Sequence, residues 1–231
     1  MPIQTVFLDA GGVLVWPNWT RISETLARHG VEVGAPALAA AEPLAKKRLD
    51  TGETIRATND KQRGWTYFNL VLAEAGVPLS PATTDALTEL HAYHQQSNLW
   101  ELVGEEVWTS LSGLRAHGAR LVVVSNANGR LHHLFERLGM LDAFDYVFDS
   151  HWEGVEKPDP RYFTLALARA GASPADTIHV GDLYHVDVVG ARAAGITPVL
   201  FDVANLYAGA DCLRVRSLAE LVEMLATADA L

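Results

Sequence analysis

The chain has 231 residues, room for one large core or for a core domain with a modest insertion, and its 49% hydrophobic and 20% charged content marks it as globular, not disordered, fibrous or repetitive. A formal charge of −10 repels polyanions and argues against nucleic acid as a partner, while a small phosphorylated molecule would need local cations and backbone donors to bind. No run of eighteen apolar residues and no basic, apolar leader argue for a membrane or for export, and the single Cys212 permits no intramolecular disulfide, so a cytoplasmic monomer or homodimer is expected.

The segment TVFLDAGGVLV predicts a buried strand from Thr5 to Leu8, ending at Asp9 and a tight Gly11-Gly12 loop. From there to about Gln96 the pattern turns helical. Asn18 can cap a helix that runs to Gly30, another helix precedes Gly76, and no strand is evident. Residues 16–96 are therefore expected to form a helical cap, inserted between 1–15 and 97–231. Beyond it, helices alternate with the strands ARLVVVSNA, FDYVFDS, TIHVGD and TPVLF, and SLAELVEMLA forms a last amphipathic helix. Strands as apolar as LVVV belong in a parallel sheet covered on both faces, which predicts an α/β, doubly wound core. Ligands of such sheets bind beyond the carboxyl ends of the strands.

Five polar residues follow those strand ends: Asp9, Ser125, Lys157 in GVEKPDP, and Asp182 with Asp187 in GDLYHVD. Each alone reads as a helix cap, a turn residue or a solvated charge. Together they make a carboxylate cluster facing a Ser/Lys pair. A carboxylate can attack phosphorus in line if a cation offsets the repulsion between two anions. Asp9 and Asp182 would hold that cation, and oxygen-only ligands suit Mg2+. The phosphoryl oxygens would meet Ser125, Lys157 and the backbone N–H groups after Asp9, where Gly11 and Gly12 allow close approach.

These same residues carry a resemblance. FLDAGGVLV, VVVSNA, GVEKPDPRYF and HVGDLYHVDVVGARAAG resemble, in order, the four motifs of the haloacid dehalogenase-like hydrolase superfamily, in particular its helical-cap phosphatases. The resemblance implies a Rossmann-like core, Mg2+ and phosphomonoester hydrolysis. It implies Asp9 as nucleophile, the Gly11 carbonyl and Asp182 as metal ligands, and Asp187 as a metal ligand or as the residue that orients metal-bound water. Ser125 and Lys157 become phosphate binders, with Asn126 beside them.

One position departs from the pattern. Two residues after the nucleophile, family phosphatases carry a second Asp that protonates the leaving group, and here it is Gly11. General acid–base help contributes about a hundred- to ten-thousand-fold. Glu24, Asp50, Glu53, Asp60 and His185 are candidate replacements, each more naturally a solvated surface residue. A phosphonatase-like hydrolase using a cap amine from Lys46, Lys47 or Lys61, a metal-free dehalogenase, and a non-catalytic binding protein remain alternatives, although the intact acidic pair Asp182/Asp187 argues for a metal site. Trp16, Trp19 and Trp65 either line a pocket or pack the cap, and Trp16 is the one taken as a substrate contact. His91, His94, His132 and His133 read as surface helix positions. The cap is expected to move as a lid on two connections, near Val15–Pro17 and Gln95–Glu105.

Overall fold

A computed structural model describes residues 3–228, so Met1, Pro2 and residues 229–231 of the expected core lie outside the described residues. In chain order the elements are β1 (Thr5–Leu8), β2 (Trp16–Pro17), α1 (Trp19–Arg28), α2 (Ala35–Leu49), α3 (Gly52–Ala57), α4 (Asp60–Glu74), α5 (Pro81–Ser97), β3 (Trp100–Leu102), α6 (Glu105–Ala116), β4 (Arg120–Ser125) and α7 (Leu131–Arg137). They continue with β5 (Tyr146–Asp149), α8 (Ser150–Glu153), α9 (Pro160–Ala170), β6 (Thr177–Gly181), α10 (Val189–Ala193), β7 (Thr197–Phe201), β8 (Leu213–Val215) and α11 (Leu218–Ala228). Two compact units result: the chain up to Trp16 with Val103 onward, and Pro17–Leu102. The second unit starts one residue later and ends six residues later than the expected 16–96, because α5 runs to Ser97 and β3 follows it, and β2, paired with β3, is a strand where none was expected.

The first unit is built on a six-stranded sheet of order β5-β4-β1-β6-β7-β8, in which every neighbouring pair is parallel. Its central strands are buried throughout: all four residues of β1 and all five of β6, the imidazole of His179 among them, are shielded from solvent. Phe7, Val122, Val124 and Phe148 pack with Tyr162, Phe163, Ala166 and Leu167 of α9 and with Ala191 of α10. α6 and α11 pack on each other, close enough that a Cβ on Gly113 would meet Val222 at 3.1 Å. From β1 the chain winds outward through β4 to β5, then crosses back and winds the other way through β6, β7 and β8. The strand order therefore reverses beside β1, the place where doubly wound sheets bind ligands. Asp9 and Asp182 follow the two strands that flank this switch point.

Two features depart from the sequence expectation. A sixth strand, β8, is added at the sheet edge, too short to announce itself among polar neighbours. The helix within the fourth motif opens with a π-helical turn, Tyr184–Val188, before α10 begins. A π turn admits one extra residue, and such turns recur at functional sites.

The second unit is helical. Asn18 caps α1 by accepting from Arg21 N at 3.0 Å, and Asn59/Gln62 form a reciprocal capping box on α4. α2 packs on α4 and α1 on α5, around Trp19, Ile22, Leu26, Leu38, Tyr67, Leu72, Leu87 and Leu90. Trp19 is thus core, and Trp65 packs against that core with its ring 4.8 Å from His91. His94 is half-buried, not the solvated residue its helical position suggests. Nδ1 accepts from Leu99 N at 3.2 Å, and the ring meets Trp100 edge-on, because α5 turns back on itself at Asn98. Asp50 is likewise buried at the C-terminal end of α2, and Lys46 lies 3.5 Å from the buried Glu42 rather than free in solvent. Among the described residues, no helix is long and apolar enough to cross a membrane.

Candidate active site

Each strand end delivers one chemical group to the same edge of the sheet. Asp9, one residue past β1, turns its Oδ1 back to accept from Ala10 N at 2.7 Å. The following loop folds tightly on the Ala10 carbonyl, which accepts from Leu14 N at 2.9 Å and Val15 N at 3.0 Å, and Gly12 takes a positive φ of 76° that suits glycine. Ser125 ends β4, buried, and its hydroxyl donates to the Asn126 carbonyl at 3.4 Å. Its carbonyl accepts from the buried Tyr162 hydroxyl at 2.9 Å, which fixes the peptide that leads into Asn126. Asn126 and Lys157 are joined reciprocally: Asn126 Nδ2 donates to Lys157 O at 3.0 Å, and Lys157 N donates to Asn126 Oδ1 at 2.8 Å. Asn126 is therefore a clamp on the lysine loop, whatever else it touches.

Lys157 is fully buried, and its ammonium lies 3.0 Å from Asp9 Oδ2 and 2.7 Å from Asp187 Oδ1. A buried lysine is stable only when paired in this way. Asp187 is further held by His179 Nε2 at 2.9 Å on Oδ1 and by Leu183 N at 3.0 Å on Oδ2. Gly181 makes the arrangement possible, since any Cβ there would collide with the Asp187 carboxyl. Gly190 does the same for the lysine loop, letting α10 approach until a Cβ would lie 3.0 Å from the Pro158 backbone.

The electrostatics follow from crowding three acids around one base. Burial raises the pKa of Asp9 to about 7; Lys157 pulls against this, Asp187 and Asp182 push with it, and Ser125 pulls it down. Burial would also raise Asp187, but Lys157 and the hydrogen bond from His179 overcome it and bring that carboxyl below its ordinary range. Burial by itself would lower Lys157, yet Asp187 and then Asp9 carry its ammonium above the usual value. His179 is pushed down, chiefly by burial.

Asp9, Asp182 and Asp187 each offer an oxygen, and these atoms lie within 4.8 Å of one another. Two oxygens on opposite sides of Mg2+ stand about 4.2 Å apart, so the donor set fits a small, hard cation in both size and chemistry. Asp187 already accepts three hydrogen bonds and is 1% exposed on its side chain.

Trp16 is half-buried at the start of β2, and Gly11 forms an isolated bridge with Val15. His185 sits in the π turn with its ring 5.2 Å from Tyr184. Glu24, Glu53 and Lys61 are exposed on the helical unit, and His132 and His133 are exposed on α7. Sequence reasoning missed His179 and Tyr162, which read as ordinary members of apolar elements. An imidazole or phenol inside an otherwise apolar strand or helix face was the available signal.

The chain belongs to the haloacid dehalogenase-like hydrolase family, whose model matches residues 3–195. A mouse haloacid dehalogenase-like hydrolase domain-containing protein 3 is 39% identical over 122 residues, which are 53% of this chain and 48% of that protein, so the match spans about half the mouse protein's length. A glyceraldehyde 3-phosphate phosphatase of Pyrococcus abyssi is 30% identical across 86% of this chain and 81% of its own. The solved HAD-hydrolase of Bacillus subtilis, described as bound to magnesium, superimposes with a TM-score of 0.69 over 97% of this chain and 99% of its own at 17% identity, a likeness of fold.

Proposed function

We propose that this chain is a Mg2+-dependent phosphatase of a small phosphorylated metabolite, working through an aspartyl-phosphate on Asp9. The observation that carries the reading is the Asp9 carboxylate itself, placed at the switch point with the Lys157 ammonium 3.0 Å from one oxygen and Asp182 and Asp187 in the same cluster. The similarity to a glyceraldehyde 3-phosphate phosphatase supports the substrate class.

Asp9, Asp182 and Asp187 would hold the cation, with the Gly11 carbonyl as a further ligand, and its charge would offset the repulsion between carboxylate and phosphoryl group. Asp9 attacks phosphorus in line, forming a P–O bond to its carboxylate as the bond to the leaving oxygen breaks. Ser125 and Lys157 bind the phosphoryl oxygens, together with backbone N–H groups of the loop through Gly11 and Gly12. Water then cleaves the acyl phosphate, releasing inorganic phosphate and restoring Asp9. With Gly11 where a carboxylic acid normally stands, the leaving oxygen takes its proton from water or from the substrate. Substrates with good leaving groups, such as acyl phosphates, are therefore favoured. Trp16 is assigned to the substrate's non-phosphate portion, and residues 17–102 act as the cap that sets specificity.

The test is a hydrolysis screen of the purified protein, with and without Mg2+, over phosphomonoesters, acyl phosphates, phosphonoacetaldehyde and 2-haloacids, with Asp9→Asn as control. Phosphate release that needs both Mg2+ and Asp9 supports the assignment. Halide release without metal overturns it in favour of a dehalogenase, and binding without turnover points to a non-catalytic protein.

A further inference from the structure

His179 is the most unusual polar group in the fold outside the five residues already assigned. It lies in the middle of β6, registered between Phe7 of β1 and Pro198 of β7, and is wholly buried. Phe163 meets its ring edge-on with centroids 4.8 Å apart. Its Nε2 contacts Asp187 Oδ1 at 2.9 Å, and a carboxylate can only accept, so the proton is on Nε2. Nδ1 is then a bare acceptor, and it is the buried side-chain nitrogen or oxygen without a partner among the described residues.

That orphaned nitrogen argues against a purely space-filling role. A leucine, methionine or phenylalanine would fill the same room and leave no buried acceptor unsatisfied, so burying the imidazole is unfavourable unless its single N–H contributes something. The N–H goes to one atom, Asp187 Oδ1. That oxygen also receives the Lys157 ammonium at 2.7 Å, while Oδ2 receives Leu183 N at 3.0 Å. A carboxylate has about four acceptor positions, two on each oxygen. Two donors fill Oδ1 and one occupies Oδ2, leaving one position, on Oδ2, for a ligand.

We propose that His179 is a positioning residue: its Nε2–H and the Lys157 ammonium together saturate Asp187 Oδ1, fixing the carboxyl plane so that Oδ2 alone is presented to the cation or its water. This rests on the metal-dependent reading above. Lys157 by itself would be a poor anchor, because its stem is long and it is shared with Asp9 at 3.0 Å. His179 is rigid, held by the sheet on two sides and by Phe163. Outer-shell donors of this kind change metal affinity by about 10- to 100-fold when removed.

The experiment compares wild-type, His179→Met and His179→Gln proteins. Mg2+ binding is measured by calorimetry without substrate, alongside kcat and KM for the best substrate of the screen. The methionine variant, which fills the space and donates nothing, should bind Mg2+ about 10- to 100-fold more weakly and lose kcat with little change in KM. The glutamine variant, whose amide can reach Asp187, should stay within about threefold of wild type. His179→Asn, whose amide falls short, replaces the methionine variant if that does not fold. Nitrogen-15 shifts of the wild-type imidazole should report Nε2–H. Equal Mg2+ affinity in His179→Met, equal losses in the methionine and glutamine variants, or an Nδ1–H tautomer would each overturn the inference while leaving the phosphatase assignment standing. A wild-type protein that binds no Mg2+ overturns both.

Discussion

The carboxyl group of Asp187 occupies the place where a side chain on Gly181 would begin: an added Cβ would lie 2.1 Å from Asp187 Cγ and 2.4 Å from its Oδ1. No side-chain rearrangement relieves such a contact, because Asp187 is itself tied to Lys157, His179 and Leu183 N. Gly181→Ala is therefore expected to displace Asp187 and lower kcat/KM by at least about 100-fold, the usual effect of a misplacement near 1 Å. The far-UV circular dichroism should be kept. Steady-state kinetics on the folded variant check it, and wild-type activity would mean that the placement of Asp187 is immaterial.

Lys157 is the cation that allows Asp9 and Asp187 to be buried together. Lys157→Met leaves both carboxylates without it, and removing one partner of a buried pair costs about 3–5 kcal/mol. The variant should be inactive and unfold at lower urea. Adding Asp187→Asn should recover part of that loss, since the unpaired charge is then gone, and a double-mutant cycle of urea midpoints measures the coupling.

Gly11 is the position at which this chain departs from the family phosphatases. If a missing general acid limits turnover, Gly11→Asp should raise kcat on an alkyl phosphomonoester by about 100-fold or more. The gain should be smaller on p-nitrophenyl phosphate, whose leaving group needs little protonation. Parallel kinetics on the two substrates separate these outcomes. A fall in both, with the fold intact, would show that Gly11 provides space or backbone freedom instead.

In the helical unit, burial, reinforced by His91, holds the His94 imidazole at a pKa of about 4, below its ordinary 6.5. The unfolded chain thus binds a proton at a higher pH than the folded one. The stabilisation is complete above pH 6.5 and is lost as pH falls from there to about 4. It is worth on the order of 3 kcal/mol. Protection factors of residues 17–102 against hydrogen exchange, corrected for the intrinsic pH dependence of exchange, should fall across that window in the wild type. His94→Gln should flatten the pH dependence, and an unchanged profile in that variant would place the acid sensitivity elsewhere.

Much of this protein was legible in its order of residues. The apolar strands could only be satisfied in a sheet covered on both faces, and Asp9, Ser125, Lys157, Asp182 and Asp187 each stood just beyond a strand or in the loop after it. The caps were equally local: Asn18 and the αL glycine at position 30 bracket α1 through bonds between near neighbours in the chain. What local pattern could not supply was the pairing within the cluster. Lys157 resembles a solvated lysine until β1, β6 and the π turn bring Asp9 and Asp187 around it, and Asn126 resembles a turn residue until its amide meets the Lys157 backbone. An imidazole in an otherwise apolar strand marked His179 but not its partner, and the roles of His179 and Gly181 lie in contacts with Asp187 that exist only once the chain has left β6 and turned back. Sequence by itself determined which groups reach the sheet edge, since strand ends and loops are set by local periodicity and turn chemistry. Tertiary structure decided which oxygen each cation and N–H engages, since those are distances of a few ångströms between segments far apart along the chain.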